Sequence, residues 1–492
     1  MLSQLRKLGK QTAVYGLGSI LSKMLGFLLI PVYTSFIPIG DFGILAVMEI
    51  TILFLTSILH FGIFSGHQRY FFIEKGENNY GTFLFNNYAG NILLTLIAIL
   101  PFFLFSSRIS ELFYSDSSQT ENLKIVFGIV VAEILCVVPF QILQFEEKPV
   151  RYILLNIFKL TLSFLLTVYF VRNLSLGIEG ILYARLTGAG TTAIISLLFV
   201  IIPRLTFRWD ISLLWLSIKF GLPAIFGNIG FLIFQMNDRY MLNWLSTDIE
   251  TGKYSFGYKI ANFINLIFVS TIGLSYMPSI FSKEKEENNS RYYRKMLTYY
   301  CFLIAFIILG FLFFYKDLLT LVTKNRDYWD GLKVVPVLSL SFMVMGMNYF
   351  VGIGLYLKNK MHHFLVPSLA AVILNILMNF YFIPLWGMMG AAYSTLCSQI
   401  IYTVILTFTA QRYFKVGFEW CKILLIYSLA IALFIGNQFS ESLNLFLVLF
   451  IRLLLLAIFP LVLYKLNFFE KIELTRLREG IGKIFNRYSP WQ

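Results

Sequence analysis

Charge is what this chain has least of. Asp, Glu, Lys and Arg make up 13% of its 492 residues, against about 25% in a soluble domain. Acids are scarcer still, 26 against 40 Lys and Arg, and there are only four histidines. So few charges exclude a water-facing surface for most of the chain. Cysteine is as thin: Cys136, Cys301, Cys397 and Cys421 show no CxxC spacing, which argues against a disulfide framework, a redox pair or a cysteine zinc site. Each lies in or beside an apolar run and reads as a small buried hydrophobe. No DxD, HExxH, Walker or GxSxG pattern occurs, so an integral membrane polymerase, ligase or acyltransferase finds no support. Long polar loops are missing too, and no stretch between apolar segments is large enough to be a soluble domain.

Apolar residues fill the space. The chain is 58% hydrophobic with a mean hydropathy of +0.74. Runs such as Ile92–Leu100 do not alternate, which excludes barrel strands. Lipid offers no partner to a bare backbone group, so the spans are helical. At about 20 apolar residues per span plus a loop, the length allows roughly 12 to 16. The expected fold is all-α and integral to the membrane, with about fourteen helices. These are expected at 12–36, 42–65, 82–105, 122–144, 151–171, 178–202, 213–237, 254–281, 296–315, 333–357, 364–384, 388–410, 418–437 and 442–465. A basic start (Arg6, Lys7, Lys10) precedes the first, but no A-x-A cleavage site follows, so it reads as a retained span.

Lys and Arg in the loops set the orientation. With the N-terminus inside, inner segments hold about 25 of them and outer loops about eight. That bias predicts cytoplasmic N- and C-termini and an even helix count. The net charge of +14 and the basic tail from Lys471 to Arg487 then fit anionic inner-leaflet lipid, and no nucleic-acid partner is needed.

The chain also repeats itself. Tyr15-Gly16-Leu17 echoes Phe220-Gly221-Leu222, Gly26-Phe27-Leu28-Leu29 echoes Gly230-Phe231-Leu232-Ile233, and Gly177-Ile178-Glu179-Gly180 echoes Gly387-Met388-Met389-Gly390. The offsets are 205, 204 and 210 residues. An offset of six helices makes the repeats parallel, related by a pseudo-twofold along the membrane normal, with a substrate path between them. The expected divisions are an N-lobe at 1–208, a C-lobe at 209–411, and two further helices with a basic tail at 412–492.

These features together resemble a known family. Gly16–Ile37 (GLGSILSKMLGFLLIPVYTSFI), Asp41–Val47 (DFGILAV), Asp238–Leu242 (DRYML), Gly252–Ile260 (GKYSFGYKI) and Gly387–Leu396 (GMMGAAYSTL) look like a polysaccharide or O-antigen repeat-unit flippase of the multidrug/oligosaccharidyl-lipid/polysaccharide exporter superfamily. The resemblance covers the whole chain and rests on the order and spacing of these segments. It implies two six-helix lobes around a central cavity. It also implies export of undecaprenyl-diphosphate-linked oligosaccharide to the outer leaflet of a bacterial inner membrane, for O-antigen or capsule synthesis, beside polymerase and glycosyltransferase partners. The alternatives are a lipid II flippase or a drug exporter of the same superfamily. Lipid II flippases carry a second basic residue soon after the first; here Leu28-Leu29-Ile30 stands in that region.

An anionic diphosphate crossing hydrocarbon needs buried cations and a wet path. Lys23 and Lys159 lie near mid-span, with Arg185, Lys219 and Lys259 shallower. Helical spacing puts Gly16, Ser19, Lys23 and Gly26 on one face. Tyr152, Asn156, Lys159 and Ser163 share a second, and Arg185, Thr192 and Ser196 a third. The family motif adds Arg239 at the outer end of the seventh helix. Interhelical hydrogen bonding is the plainer use of such stripes, and Lys219 and Lys259 are near enough to helix ends to reach headgroups. Arg452 lies outside the repeat and suits a pairing or lipid-phosphate role. Glu49, Glu133 and Asp238 are the candidate sites for coupling to H+ or Na+; no other cofactor is implied. Glu49, Thr56 and His60 share one face of the second helix, a protonatable stripe unless Glu49 pairs with a lysine such as Lys23. Tyr254, Tyr349 and Tyr393 are candidate sugar contacts, although membrane packing accounts for most aromatics in such a chain. Adjacent His362 and His363 cannot present the i, i+4 geometry of a metal pair.

Overall fold

The computed structural model describes residues 28–76, 79–114, 117–273, 289–323, 325–440 and 444–466, with Gly26, Tyr276, Ile280, Phe468 and Phe469. Lys23 and the basic tail lie outside the described residues, as do Tyr15-Gly16-Leu17 of the first repeat echo and Phe27 of the second.

The described residues are helical almost throughout and contain no strand. In order they are α1 (residues 28–36), α2 (Ile39–Leu59), α3 (Ile63–Gly76), α4 (Tyr80–Leu104), α5 (Ser106–Tyr114), α6 (Thr120–Phe145), α7 (Pro149–Val168), α8 (Gly177–Ser196), α9 (Ile211–Leu245) and α10 (Asp248–Ile264). Then follow α11 (Asn289–Val322), α12 (Val335–Val351), α13 (Leu365–Gln411), α14 (Trp420–Gln438) and α15 (Leu445–Lys465). Eleven helical segments among the described residues are long and apolar enough to cross a membrane. The expected eleventh and twelfth spans form one of these, α13. The expected seventh span lies within α9.

Local chemistry sets the helix ends. Pro149 sits in the first turn of α7, where its missing N–H is no loss. Asp210 caps α9, its carboxylate accepting the Ser212 N–H at 3.1 Å. The third repeat echo has a common backbone. Gly177 (φ +55°) begins α8, and Gly387 (φ +53°) is the kink inside α13. A side chain is strained at either position. Three residues on, Gly180 and Gly390 again match, each lying close against the preceding segment at Phe170 and Phe382.

The helices group into two compact units. One comprises Met1–Ile260, Leu321–Val337 and Leu365–Tyr402; the other comprises Ala261–Thr320, Leu338–Phe364 and Thr403–Gln492. In the first, α6 packs on α2, α4 and α8, around a core that includes Leu84, Tyr88, Val138, Ile142 and Ile201. Glycine permits the closest crossings. A Cβ at Gly43 would fall 2.0 Å from the Asp248 carbonyl oxygen, and one at Gly252 2.0 Å from that of Ile39. At the other end of α2 the same holds between Gly62 and Gly221.

In the second unit, Tyr276 stacks on Phe350 with ring centroids 4.2 Å apart. Glu419 receives Lys295 at 3.0 Å and the Thr298 hydroxyl at 2.9 Å. Arg452, buried on α15, pairs with Asp317 near the end of α11. Of the four cysteines, Cys136 and Cys301 are buried and Cys397 half-buried. Cys421 departs from the expectation: it is exposed at the start of α14.

Candidate functional site

The site begins with a helix crossing. A Cβ at Gly188 would lie 2.0 Å from the Ser163 hydroxyl and 2.9 Å from the Lys159 carbonyl. Its absence lets α8 lie directly on α7. Arg185, three residues before Gly188, is thereby brought beside Lys159. Across from them α6 presents Glu133. Lys159 Nζ donates to one Glu133 oxygen at 3.0 Å, and Arg185 Nη2 donates to the other at 3.4 Å. One carboxylate bridges two cations.

These three residues line a cavity of about 400 Å³ with Gly26, Leu29, Tyr33, Leu45, Glu49, Leu160, Ser163, Thr167, Ile181 and Leu182. That is within the range of small-molecule sites, roughly 300–1,000 Å³. Among the described residues its charged lining is two cations, Lys159 and Arg185, and two carboxylates, Glu49 and Glu133. Among these residues cations do not outnumber acids, because a charge at this depth needs a partner. The hydrophobic count along the sequence shows depth but not pairing.

Glu49 is held by Lys259 of α10 at 2.9 Å, so among the described residues its partner is a lysine. The Lys259 ammonium also sits over the rings of Tyr33 and Phe42, at 5.3 and 5.0 Å. His60 accepts the Gly62 N–H at 3.1 Å through Nδ1, the behaviour of a satisfied polar residue at a helix end. Arg239 packs its guanidinium 4.2 Å over the Tyr258 ring. Lys219 is exposed on α9 and is not part of the cavity wall.

Asp238 forms a separate cluster. Its carboxylate is buried and accepts from Tyr254 Oη at 2.6 Å, Asn379 Nδ2 at 2.9 Å and Asn375 Nδ2 at 3.3 Å, and from the Thr395 hydroxyl. Among the described residues no cation is within ion-pair range of it. Tyr254 is thus a buried donor, whereas Tyr393 is exposed beside Trp386. Asn375 and Asn379 were missed in the sequence. Their i, i+4 spacing within an apolar span is the signal that marks them.

Two polar pairs border the spans. Glu146, just past α6, takes both Arg204 Nε (2.9 Å) and Nη2 (2.7 Å), and Lys148 at 2.5 Å. Burial would raise its pKa, but these cations outweigh burial and hold it at about 2. His67 of α3 donates through Nδ1 to Gln141 Oε1 at 3.1 Å, and its ring stacks on Phe83. Burial lowers its pKa to about 4, against that hydrogen bond. Among the described residues no group of three or more His, Cys, Asp or Glu could hold a metal ion.

Comparison with known proteins agrees with this architecture. The structure is similar to that of a lipid II flippase, MurJ, in an inward closed conformation. The TM-score is 0.73 at 15% identity, over 92% of this chain and 99% of that one. It is also similar to an inward-facing multidrug resistance MATE family transporter of the MOP superfamily, with a TM-score of 0.62 at 14% identity, covering 79% and 94%. The Vibrio cholerae MATE transporter VcmN in its bent form gives 0.53 at 15%, covering 84% and 97%. At such identities the likeness shows the fold, a MurJ/MATE-like transporter fold. No curated protein matches the chain by sequence. A family model described as polysaccharide biosynthesis protein matches residues 8–282, more than half the chain, and the protein belongs to that family.

Proposed function

We propose that the protein flips undecaprenyl-diphosphate-linked oligosaccharide from the inner to the outer leaflet of a bacterial inner membrane, by alternating access, for surface polysaccharide synthesis. The observation that carries this reading is the cavity where Lys159 and Arg185 meet at bilayer depth in a chain of the polysaccharide biosynthesis family. Two cations 18% and 35% exposed at such a wall are costly unless they serve a ligand. The diphosphate supplies negative charge, and the wall's Ser163 and Thr167 add hydroxyls for the sugar end. In this reading the N- and C-termini are cytoplasmic, and the basic tail meets anionic lipid and neighbouring glycosyltransferase or polymerase. The lobes at 1–208 and 209–411 are the moving halves, with 412–492 beside the polyprenyl tail. Lys23, Lys219, Arg239 and Lys259 continue the cationic path.

Ion coupling falls to Asp238 in this scheme. Glu49 and Glu133 already have cationic partners, whereas among the described residues the hydrogen-bond donors to Asp238 are neutral. A proton or Na+ arriving there changes the charge of the cluster without first breaking an ion pair.

The test is flipping of fluorescent lipid-linked oligosaccharide in proteoliposomes. Lys159→Gln and Arg185→Gln should each slow it at least tenfold at normal expression. Full activity in both variants would defeat the proposal. Lipid II and dye-efflux substrates in the same vesicles separate the lipid II flippase and drug-exporter alternatives.

A further inference from the structure

The ion pairs of this chain are not built alike, and the difference is informative. Arg204 engages all three of its nitrogens: two grip Glu146 and the third donates to the Val200 carbonyl at 2.6 Å. That is a structural clasp. The pairs at the cavity are sparse by comparison. Lys159 has three N–H donors and Arg185 has five. Among the described residues Glu133 is the acceptor each of them reaches, once, and the Arg185 bond is long at 3.4 Å. Both side chains line the cavity, and among the described residues the rest of their donors meet no other acceptor. Arg185 keeps 35% of its side chain exposed there, although Glu133 is itself only 20% exposed.

A carboxylate with two half-used cations is in the position that a phosphate would take. Its two oxygens, one to each cation, reproduce the spacing of two oxygens of an anionic ligand. An incoming diphosphate competes with Glu133 for the charge of the same two cations. The cations do not stand bare while the cavity waits, because a half-buried charge without a partner is unfavourable.

We propose that Glu133 is an exchangeable internal counterion, bound to Lys159 and Arg185 in the empty cavity and displaced from both by the phosphate oxygens of the substrate. Glu49, the other carboxylate on the wall, stays with Lys259, and Ser163, Thr167 and Tyr33 complete the polar surroundings of the exchanging group. The exchange gives the carrier a way to release its anion: Glu133 returning to the cations competes the substrate off. Its strength therefore sets the balance between capture and release. This inference rests on the flippase reading for the identity of the anion, but not for the exchange itself.

The experiment titrates inorganic pyrophosphate into the full-length protein in phosphatidylcholine nanodiscs, by calorimetry. Glu133→Gln keeps the shape and removes the charge, and should bind pyrophosphate at least tenfold tighter than the parent. Adding Lys159→Gln to that variant should cancel the gain. Should Glu133→Gln not yield folded protein, Glu133→Asp serves instead, since its shorter arm cannot span both cations; it should bind at least threefold tighter. Pyrophosphate binding no tighter than in the parent, or absent from parent and variant alike, overturns the inference. In nanodiscs containing anionic phosphatidylglycerol the ratio of variant to parent should persist; its loss would show that bulk lipid headgroups fill the site, which also overturns the exchange. The two readings fail separately. If Glu133→Gln binds tighter while Lys159→Gln and Arg185→Gln still flip lipid-linked oligosaccharide at the full rate, the counterion stands and the flippase proposal falls. If flipping needs both cations and the affinity does not change, the reverse holds.

Discussion

The Gly62–Gly221 crossing makes a prediction whose size can be worked from the structure. A Cβ at position 221 would lie 1.8 Å from the Gly62 carbonyl oxygen, 2.4 Å from its carbonyl carbon and 2.7 Å from its Cα. All three are backbone atoms, so no side chain can rotate out of the way. Carbon and oxygen cannot approach much below about 3 Å, so Gly221→Ala must move one backbone by at least about 1.2 Å relative to the other. One turn along, a Cβ at Gly66 would sit 2.4 Å from Ser217 Cα. The crossing therefore has small residues four apart on both sides, as close helix packing in membranes requires, and the displacement cannot be absorbed locally. Overpacking of this kind costs about 1–3 kcal/mol. Gly190→Ala is the control, since nothing lies within 4 Å of a Cβ there, and alanine gains up to about 1 kcal/mol of helix propensity over glycine. Thermal melts in detergent, followed by tryptophan fluorescence, should show Gly221→Ala melting several degrees below the parent and Gly190→Ala at or above it. Equal melting temperatures for the two variants would refute the backbone contact.

Further predictions use the same melts. His67 has its pKa lowered by burial to about 4 from an ordinary 6.5, so the unfolded chain takes up a proton first as pH falls. Stability tied to His67 is then complete above pH 6.5 and drains between 6.5 and 4, a window that His67→Gln should remove. Glu146, held at about 2 by Arg204 and Lys148, adds stability that is complete above its unfolded value near 4.5 and drains between there and pH 2; Glu146→Gln should abolish that lower window alone. Breaking the Arg452–Asp317 pair should be asymmetric. Asp317→Asn leaves a side chain only 5% exposed with an uncompensated charge and should cost about 3–5 kcal/mol. Arg452→Met leaves a carboxylate that is 50% exposed and should cost distinctly less; equal losses would contradict the burial difference. In proteoliposomes Asp238→Asn should leave substrate binding intact but flatten the dependence of flipping on an imposed H+ or Na+ gradient, and an unchanged gradient response would move coupling elsewhere.

What the sequence reveals follows from what a helix keeps in register. Lys159 and Ser163 share a face because they are four residues apart, and both line the cavity. Gly177 and Gly387 were paired by repetition, and the backbone gives them the same positive φ. Both relations are local or periodic. Ion-pair partners are neither. Lys259 is 210 residues from Glu49; no pattern along the chain selects it over Lys23, and its choice depends on where α10 crosses α2 at Gly43 and Gly252. The donor set around Asp238 likewise joins α10 and both arms of the kinked α13 to α9.

Depth and face are therefore legible in the sequence, while the distribution of charge within a cavity is not. This bears on how such a carrier works. Counting cations along the spans suggests an electropositive pathway, but the wall at Lys159 and Arg185 has its own carboxylate already seated between them. A permanently bare cationic wall would hold an anion too firmly to release it on the far side, and a fully clasped one, like Arg204 on Glu146, would not admit it. Binding an anion and letting it go with one set of residues requires a competitor of intermediate strength. A single carboxylate shared between two under-used cations meets that requirement.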